Sequence, residues 1–502
     1  TEFRSVVYYH NNMPKFGELI RLSLPSVEAF TRCHLHFAAR NLVPDGKGKE
    51  KNAGAHAIGY LRLTNVDGTV IPDGEHTIGL VKPSKSSADK DAGYYLKEEK
   101  DSASCKHRIY VTVMCSATFL THNVNIIHLL KWRQHEDKVA DLLSKFSYVD
   151  KVEIKKFICD ALNALFEILK ADPSRYLLVY NNIVIVTSLL LDDKQNNFHP
   201  VLQTYTQTQM TSPDAFVHLM KALRHYCSNI DTASLAPLIR SSLKALEFTF
   251  KLIFASRTKF LQSGNPDPAV DAAFKADMLF CVKAIISLMT NASPIVIGVQ
   301  NTALQGFAAV LGEFASLFNP NEVGNIVNAI INANATSDKT TQLNPDKLAL
   351  LQSLVSQPFF VLEELRSILM PTILSFLKSN FNKSRKEVVH CSKILLDLLD
   401  TIQKKDSQEL VGELLPLLMP IMEAMDAVSY DKKTVMQLNT SLLAICSSMS
   451  AAQLDAYLNA MPSKDKLAFL LKLFKVLAAV INSGYPDIWL MLVMYQHATV
   501  LK

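Results

Sequence analysis

The sequence predicts a multidomain β + α protein: an antiparallel β-sandwich followed by an irregular all-α solenoid. Three observations carry this. Nine of the 16 glycines lie within residues 17–93, and none falls between Gly93 and Gly264. Apolar residues alternate with period two up to about residue 118. From about residue 121 they recur at i, i+3, i+4 and i+7. Glycine supplies the positive φ angles of tight β turns and weakens helix interiors. Period two is a half-buried strand, and the longer period is an amphipathic helix.

Six strands are expected, at 3–9, 18–24, 33–39, 55–63, 75–82 and 107–115. In the third, Cys33, Leu35 and Phe37 alternate with His34 and His36. In the fourth, Leu61 and Leu63 flank Arg62. In the sixth, Ile109, Val111, Val113 and Cys115 alternate with Arg108, Tyr110, Thr112 and Met114. Between the fourth and fifth lies NVDGTVIPDGEHTIGLVKP (65–83), where Asp67-Gly68 and Asp73-Gly74 mark two turns. Asp67 and Asp73 read as turn formers rather than calcium ligands. Calcium needs six to eight oxygen ligands, and the 39–54 loop offers only Asp45 and Glu50.

Beyond residue 121, Val139, Leu142, Leu143 and Phe146 make one helical stripe. Ile394, Leu395, Leu398, Leu399 and Ile402 make another, and Leu467, Leu470, Leu471, Phe474 and Leu477 a third. Pro173, Pro200, Pro213, Pro294, Pro320, Pro345 and Pro462 punctuate the helices. Some 380 residues of this pattern fit roughly eight or nine armadillo/HEAT-like repeats of about 40–47 residues each. The boundary is placed between residues 118 and 119, giving a β domain at 1–118 and a helical scaffold at 119–502.

Several function classes are excluded by composition. A net charge of +5 over 502 residues is too small for a protein that coats nucleic acid. The eight cysteines contain no C-x-x-C pair, so neither a zinc module nor a disulfide framework is indicated, and a cytoplasmic location is expected. No signal peptide is visible. The longest apolar runs, LLPLLMPIM (414–422) and IWLMLVM (488–494), fall short of the roughly 20 residues that span a bilayer. The chain starts at Thr1 and its last helical pattern runs to Lys502 without a cap, so it reads as part of something longer.

Motifs of chemistry are missing. GKGKE (46–50) lacks phosphate-loop spacing, and there is no G-x-G-x-x-G, G-x-S-x-G or H-E-x-x-H. His34 and His36 share a strand face, but no third metal ligand accompanies them. Glu363-Glu364 reads as a solvated helix face. No catalytic site, metal or cofactor is expected within the chain. One cluster does stand out. ARNLVPDGKGKEKNAG (39–54), between the third and fourth strands, carries Arg40, Lys47, Lys49 and Lys51. It reads as a solvated loop or as an anion-binding loop at one end of the sandwich, where mobile loops carry function. Lys82 and Lys85 would add to its field from the same end.

Three stretches resemble the dedicator-of-cytokinesis (DOCK) family: FRSVVYYHNNMPKFGELIRLSLP (3–25), the DGT…DGEH core of the opening corner, and LTHNVNIIHLLKWR (120–133). SGYPDIWLMLVM (483–494) resembles the family's helical middle. The resemblance is nearest the Rac-activating, ELMO-partnered branches. It implies a C2-type sandwich, here N-terminally truncated, that binds phosphatidylinositol 3,4,5-trisphosphate through basic end loops without calcium. It implies an armadillo-like scaffold after it, and a parent protein that is a guanine nucleotide exchange factor for Rho-family GTPases, recruited peripherally to the plasma membrane. The exchange region and the ELMO-binding part would lie outside this chain, and the family's most basic lipid loop would precede Thr1. Arg40 sits where the family has an arginine in an F-x-F-R-H-like stretch, here FAARN, and Lys47, Lys49 and Lys51 fall in the variable basic loop after it.

Overall fold

A computed structural model describes all residues except 1–2, 9–10, 12, 23–29, 31–32, 41–42, 45–49, 52–54, 84–103, 193–198, 231, 264–266, 292, 294–295, 334–342, 406–411, 428–431 and 483–502. At 43–44, 50–51, 190–192, 199, 233, 401–405, 426–427 and 479–482 it describes the backbone alone. The chain divides into two compact units, Thr1–Ala164 and Leu165–Lys502.

The first unit holds the strands. These are β1 (His34–Ala39), β2 (Val43–Pro44), β3 (Glu50–Lys51), β4 (Ala57–Arg62), β5 (Gly74–Leu80) and β6 (His107–Val113). They pair antiparallel as β1 with β4, β2 with β3, and β5 with β6. Ile58 and Val81 exchange two backbone hydrogen bonds of 2.8 Å, which joins the two larger hairpins in the order β1-β4-β5-β6. One face turns Leu35, Leu63 and Cys115 inward onto a small core with Phe30 and Val70. The alternation predicted these four larger strands to within two residues at nearly every end.

The first two expected strands are a correction. Residues 3–8 and 18–22, the described parts of 3–9 and 18–24, carry no ladder. Tyr8 Oη donates to Lys15 O at 2.6 Å, and the Tyr8 and Phe16 rings meet edge to face at 5.7 Å. Val6 N donates to Glu18 Oε1 at 3.0 Å, so the two segments meet through a side chain and not a ladder. A β-prone stretch becomes a strand only when a neighbouring backbone accepts its hydrogen bonds, and Val7 and Leu19 remain exposed.

Helices follow: α1 (Val124–Leu130), α2 (Val139–Phe146), α3 (Lys151–Lys156) and α4 (Ile158–Ala171). Asn123 starts α1 by accepting from the backbone N–H groups of Asn125 and Ile126. The stripe Val139, Leu142, Leu143 and Phe146 is buried as its spacing predicts.

The second unit contains α5 (Tyr176–Asp192), α6 (His199–Thr204), α7 (Ala215–Ser228), α8 (Ala236–Lys244), α9 (Leu246–Leu261), α10 (Pro268–Thr290), α11 (Ile297–Ala309) and α12 (Leu311–Leu317). After these come α13 (Pro320–Asn332), α14 (Asn344–Val355), α15 (Glu363–Asn380), α16 (Arg385–Lys405), α17 (Leu418–Ala427), α18 (Lys432–Ser448), α19 (Ala451–Asn459) and α20 (Ser463–Asn482). Two rows of stacked helices result. One runs α7, α10, α13, α15, and the other α8, α11, α14, α16, α18. Each helix buries its stripe against the next member of its row, as repeat stacking requires.

Prolines open several helices where predicted, with Pro320 first in α13 beside a capping box of Asn319 and Glu322. Polar pins reinforce the packing. Tyr180 Oη and Ser242 Oγ lie 2.6 Å apart in the core between α5 and α8. Lys347, buried at 1% exposure, donates to the carbonyls of Ile331 and Ala333 at 2.7 Å each and so closes the C-terminal end of α13. The last predicted stripe differs from expectation. In α20, Phe469 and Val476 are buried, whereas Leu467, Leu471 and Phe474 are 60%, 55% and 66% exposed. Periodicity identifies residues that share a face, not which face is covered.

Candidate functional site

The basic loop is delivered by the β1–β4 hairpin. His34 stands opposite Arg62, His36 opposite Tyr60, and Ala39 opposite Ala57. The ladder extends one step further, His56 N donating to Ala39 O at 2.9 Å. Beyond it, Val43 pairs with Lys51 and Pro44 with Glu50, so the two arms of the loop run side by side. Arg40 follows β1 directly and is exposed at the root of this projection. Lys51 has its backbone on β3, but its side chain lies outside the described residues, as do Lys47, Lys49 and Lys85 altogether. Lys82 is exposed just beyond the Ile58–Val81 bridge.

His34 and His36, read from the sequence as neighbours on one strand face, do share it. The His34 and Tyr60 rings meet edge to face at 6.1 Å. Burial pushes the His34 imidazole below its usual range, and the Arg62 guanidinium pushes it further. His36 is lowered by burial, then by His34, then by Arg40. These are like-charge neighbours, each disfavouring protonation of the next. Among the described residues no group of three or more metal-ligating side chains comes together.

The two aspartates of the opening corner are engaged in backbone geometry. Asp67 Oδ1 accepts from Thr69 N at 2.9 Å and from Thr69 Oγ1 at 2.6 Å. That pairing, above all the hydroxyl, holds the Asp67 carboxyl below its usual range. Gly68, at φ +88°, makes the turn that this closure needs. Asp73 Oδ1 accepts from Cys115 N at 2.8 Å and lies 3.7 Å from His122 Nε2. The corner is also tied to the start of the helices. Val70 N donates to Thr121 O at 3.0 Å, and Thr121 Oγ1 donates to Glu153.

Sequence reasoning located Arg40 and the lysine cluster by composition. It missed Tyr60 and Arg62 as neighbours of the histidines, because only the strand register brings them together. The alternation of Tyr60 and Arg62 in β4 was the available signal. Among the described residues no helix is long and apolar enough to cross a membrane.

Comparison with known proteins matches two family models to this chain. Residues 1–125 match the family model described as the C2 domain in Dock180 and Zizimin proteins. Residues 135–502 match the one described as the dedicator of cytokinesis (DOCK) TPR region. Mouse dedicator of cytokinesis protein 4 is 28% identical over 522 aligned positions, covering 97% of this chain and 26% of the relative. Human dedicator of cytokinesis protein 3 is 26% identical over 535 positions, covering 98% of this chain and 26% of the relative. The chain thus spans about a quarter of the length of these relatives. With one family model covering its β part and another its helices, the chain belongs to the dedicator-of-cytokinesis family, of which it carries the C2 domain and the helical TPR region.

Proposed function

We propose that this chain is the membrane-targeting and scaffold portion of a guanine nucleotide exchange factor for a Rho-family GTPase of the Rac type. In this reading the C2 part docks on phosphatidylinositol 3,4,5-trisphosphate through Arg40, Lys47, Lys49 and Lys51. The stacked helices position an exchange region that lies outside the chain, as does the part that engages an ELMO-type scaffold. The protein is cytoplasmic and reaches the plasma membrane peripherally. The reading is supported by the antiparallel pairing of β1 with β4 and of β2 with β3 on either side of the lysine-bearing stretch, and by the exposure of Arg40 directly after β1.

Magnitude constrains the mechanism. Each basic side chain near an anionic leaflet contributes about 1 kcal/mol. Four of them give about 4 kcal/mol, which corresponds to roughly millimolar attraction. Selectivity therefore needs the lysines to converge on one multiply phosphorylated headgroup, where several charge-assisted hydrogen bonds form at once. Calcium plays no part, since Asp67 and Asp73 already serve backbone amides.

Co-sedimentation with liposomes that contain or lack the trisphosphate lipid tests this. The expected result is preferential binding to the trisphosphate liposomes, abolished by Lys47→Glu, Lys49→Glu and Lys51→Glu together. Equal binding to both liposome types would refute the headgroup assignment. A second reading, a helical interaction module with the β part as a structural cap, is favoured by the two long rows of stacked helices. A partner pull-down that depends on residues 121–502 and ignores lipid would support it.

A further inference from the structure

Two histidines outside the basic loop meet where the β corner joins the first helices. His128 lies in the last turn of α1, and His135 follows in a 3-10 helix, Trp132–Lys138. On a straight α-helix the seven residues between them would rise about 10.5 Å. Here the two rings lie 4.5 Å apart, centroid to centroid, tilted by 52°. The chain bends to allow this. Lys131 ends α1 at φ −106° and ψ 29°, and His135 itself has the non-helical angles φ −135° and ψ 35°. Ring contact and kink therefore form together. Trp132, in the bend between the two histidines, is 7% exposed.

The charged groups around His128 decide what a proton does there. Burial first, then His135, hold its imidazole below the usual range; Lys138 and Lys145 add to this, and Asp67 of the β corner opposes it. Asp67 already accepts twice from Thr69. Lys145, on α2, pairs with Asp141 at 2.7 Å. Arg133, Glu136 and Asp137, the other charged residues of the 3-10 helix, are exposed. Lys131 Nζ and Ile127 Cδ1 pack at the Gly68 turn, each 3.8 Å from where a Cβ on that glycine would sit. A proton on His128 is thus opposed by burial and by the adjoining ring. A second proton, on His135, would set two like charges 4.5 Å apart.

We propose that the His128–His135 contact is an acid-sensitive latch. It holds the kink after α1 closed while both rings are neutral, and it opens as pH falls through the range in which histidines take up protons. Opening exposes Trp132 and loosens the seat of the Asp67–Gly68 turn on Ile127 and Lys131. The join between the β corner and the first helices, all within Thr1–Ala164, is then tighter at neutral than at mildly acidic pH. The latch needs no lipid and no partner, so it stands or falls apart from the membrane-targeting reading.

Trp132 is a built-in reporter. The sequence has two tryptophans, so Trp489→Phe leaves it as the only one. In that background, the emission maximum and the helical circular dichroism of the whole chain are recorded from pH 7.5 to pH 5.5. The expected result is a red shift toward the urea-unfolded value while the helical signal stays constant. His128→Phe keeps a ring at the contact without the proton and should abolish the shift. His135→Phe sets a neutral ring against the His128 proton and should shrink it. Should His128→Phe lower the helical signal already at pH 7.5, His135→Phe decides alone. An emission maximum constant across this range would overturn the latch, as would a shift of the same size in the variants. A red shift that tracks loss of helical signal would also overturn it, because it would report unfolding of the whole chain.

Discussion

Gly306 offers a direct test of how the helices stack. It lies buried in α11, against α8. A Cβ built there would sit 2.5 Å from the Leu243 carbonyl oxygen and 3.3 Å from Leu246 Cβ. A carbon–oxygen contact is comfortable at about 3.3–3.6 Å, so α8 and α11 would have to part by roughly 1 Å. The obstructing atom is backbone and cannot swing away. Overpacking of this kind costs about 1–3 kcal/mol. The gain in helix propensity from glycine to alanine, about 1 kcal/mol, offsets part of it. Gly306→Ala should therefore lose about 1–2 kcal/mol net. Gly312, in α12, is the control, because a Cβ there meets nothing within 4 Å. Gly312→Ala should gain about 0.5–1 kcal/mol. Urea denaturation followed by the helical circular dichroism signal measures both. If Gly306→Ala matches or exceeds Gly312→Ala in stability, the α8–α11 contact does not exist as described.

Three further outcomes follow from the buried histidines and the β corner. His34, His36, His128, His218 and His390 are all pushed below the usual histidine range, chiefly by burial. The unfolded chain then binds more protons than the folded one just below pH 6.5, so stability falls as pH drops through that region and is fully present above it. Melting temperature at pH 5.5 should lie below that at pH 7.5, and equal values would refute this. Asp73→Ala removes the acceptor for Cys115 N and should cost about 1 kcal/mol. Calcium should leave the midpoint of the unmodified chain unchanged, and a calcium-induced rise would restore the corner as a metal site.

Much of the fold was legible because its signals are local. The alternation around Leu35, Leu61 and Ile109 marked β1, β4 and β6, and the helical stripes of α2 and α16 marked buried faces that the structure bears out. The exceptions depend on partners that local pattern does not name. Residues 3–8 have the β-branched and aromatic content of a strand yet find no ladder, and Leu467, Leu471 and Phe474 form a stripe that stays exposed. The site divides in the same way. Arg40 and the lysines cluster within one loop and can be seen by composition. His34 with Arg62, or Gly79 with Arg108, are separated by 28 and 29 positions and meet only through register.

Hydrogen–deuterium exchange of the whole chain on nanodiscs with and without phosphatidylinositol 3,4,5-trisphosphate tests the central claim most directly, because it locates the lipid contact by residue. The account predicts new protection over residues 40–51 that appears with the trisphosphate lipid, and no change across residues 165–502. Protection confined to the helical unit, with 34–62 exchanging as in solution, would contradict it.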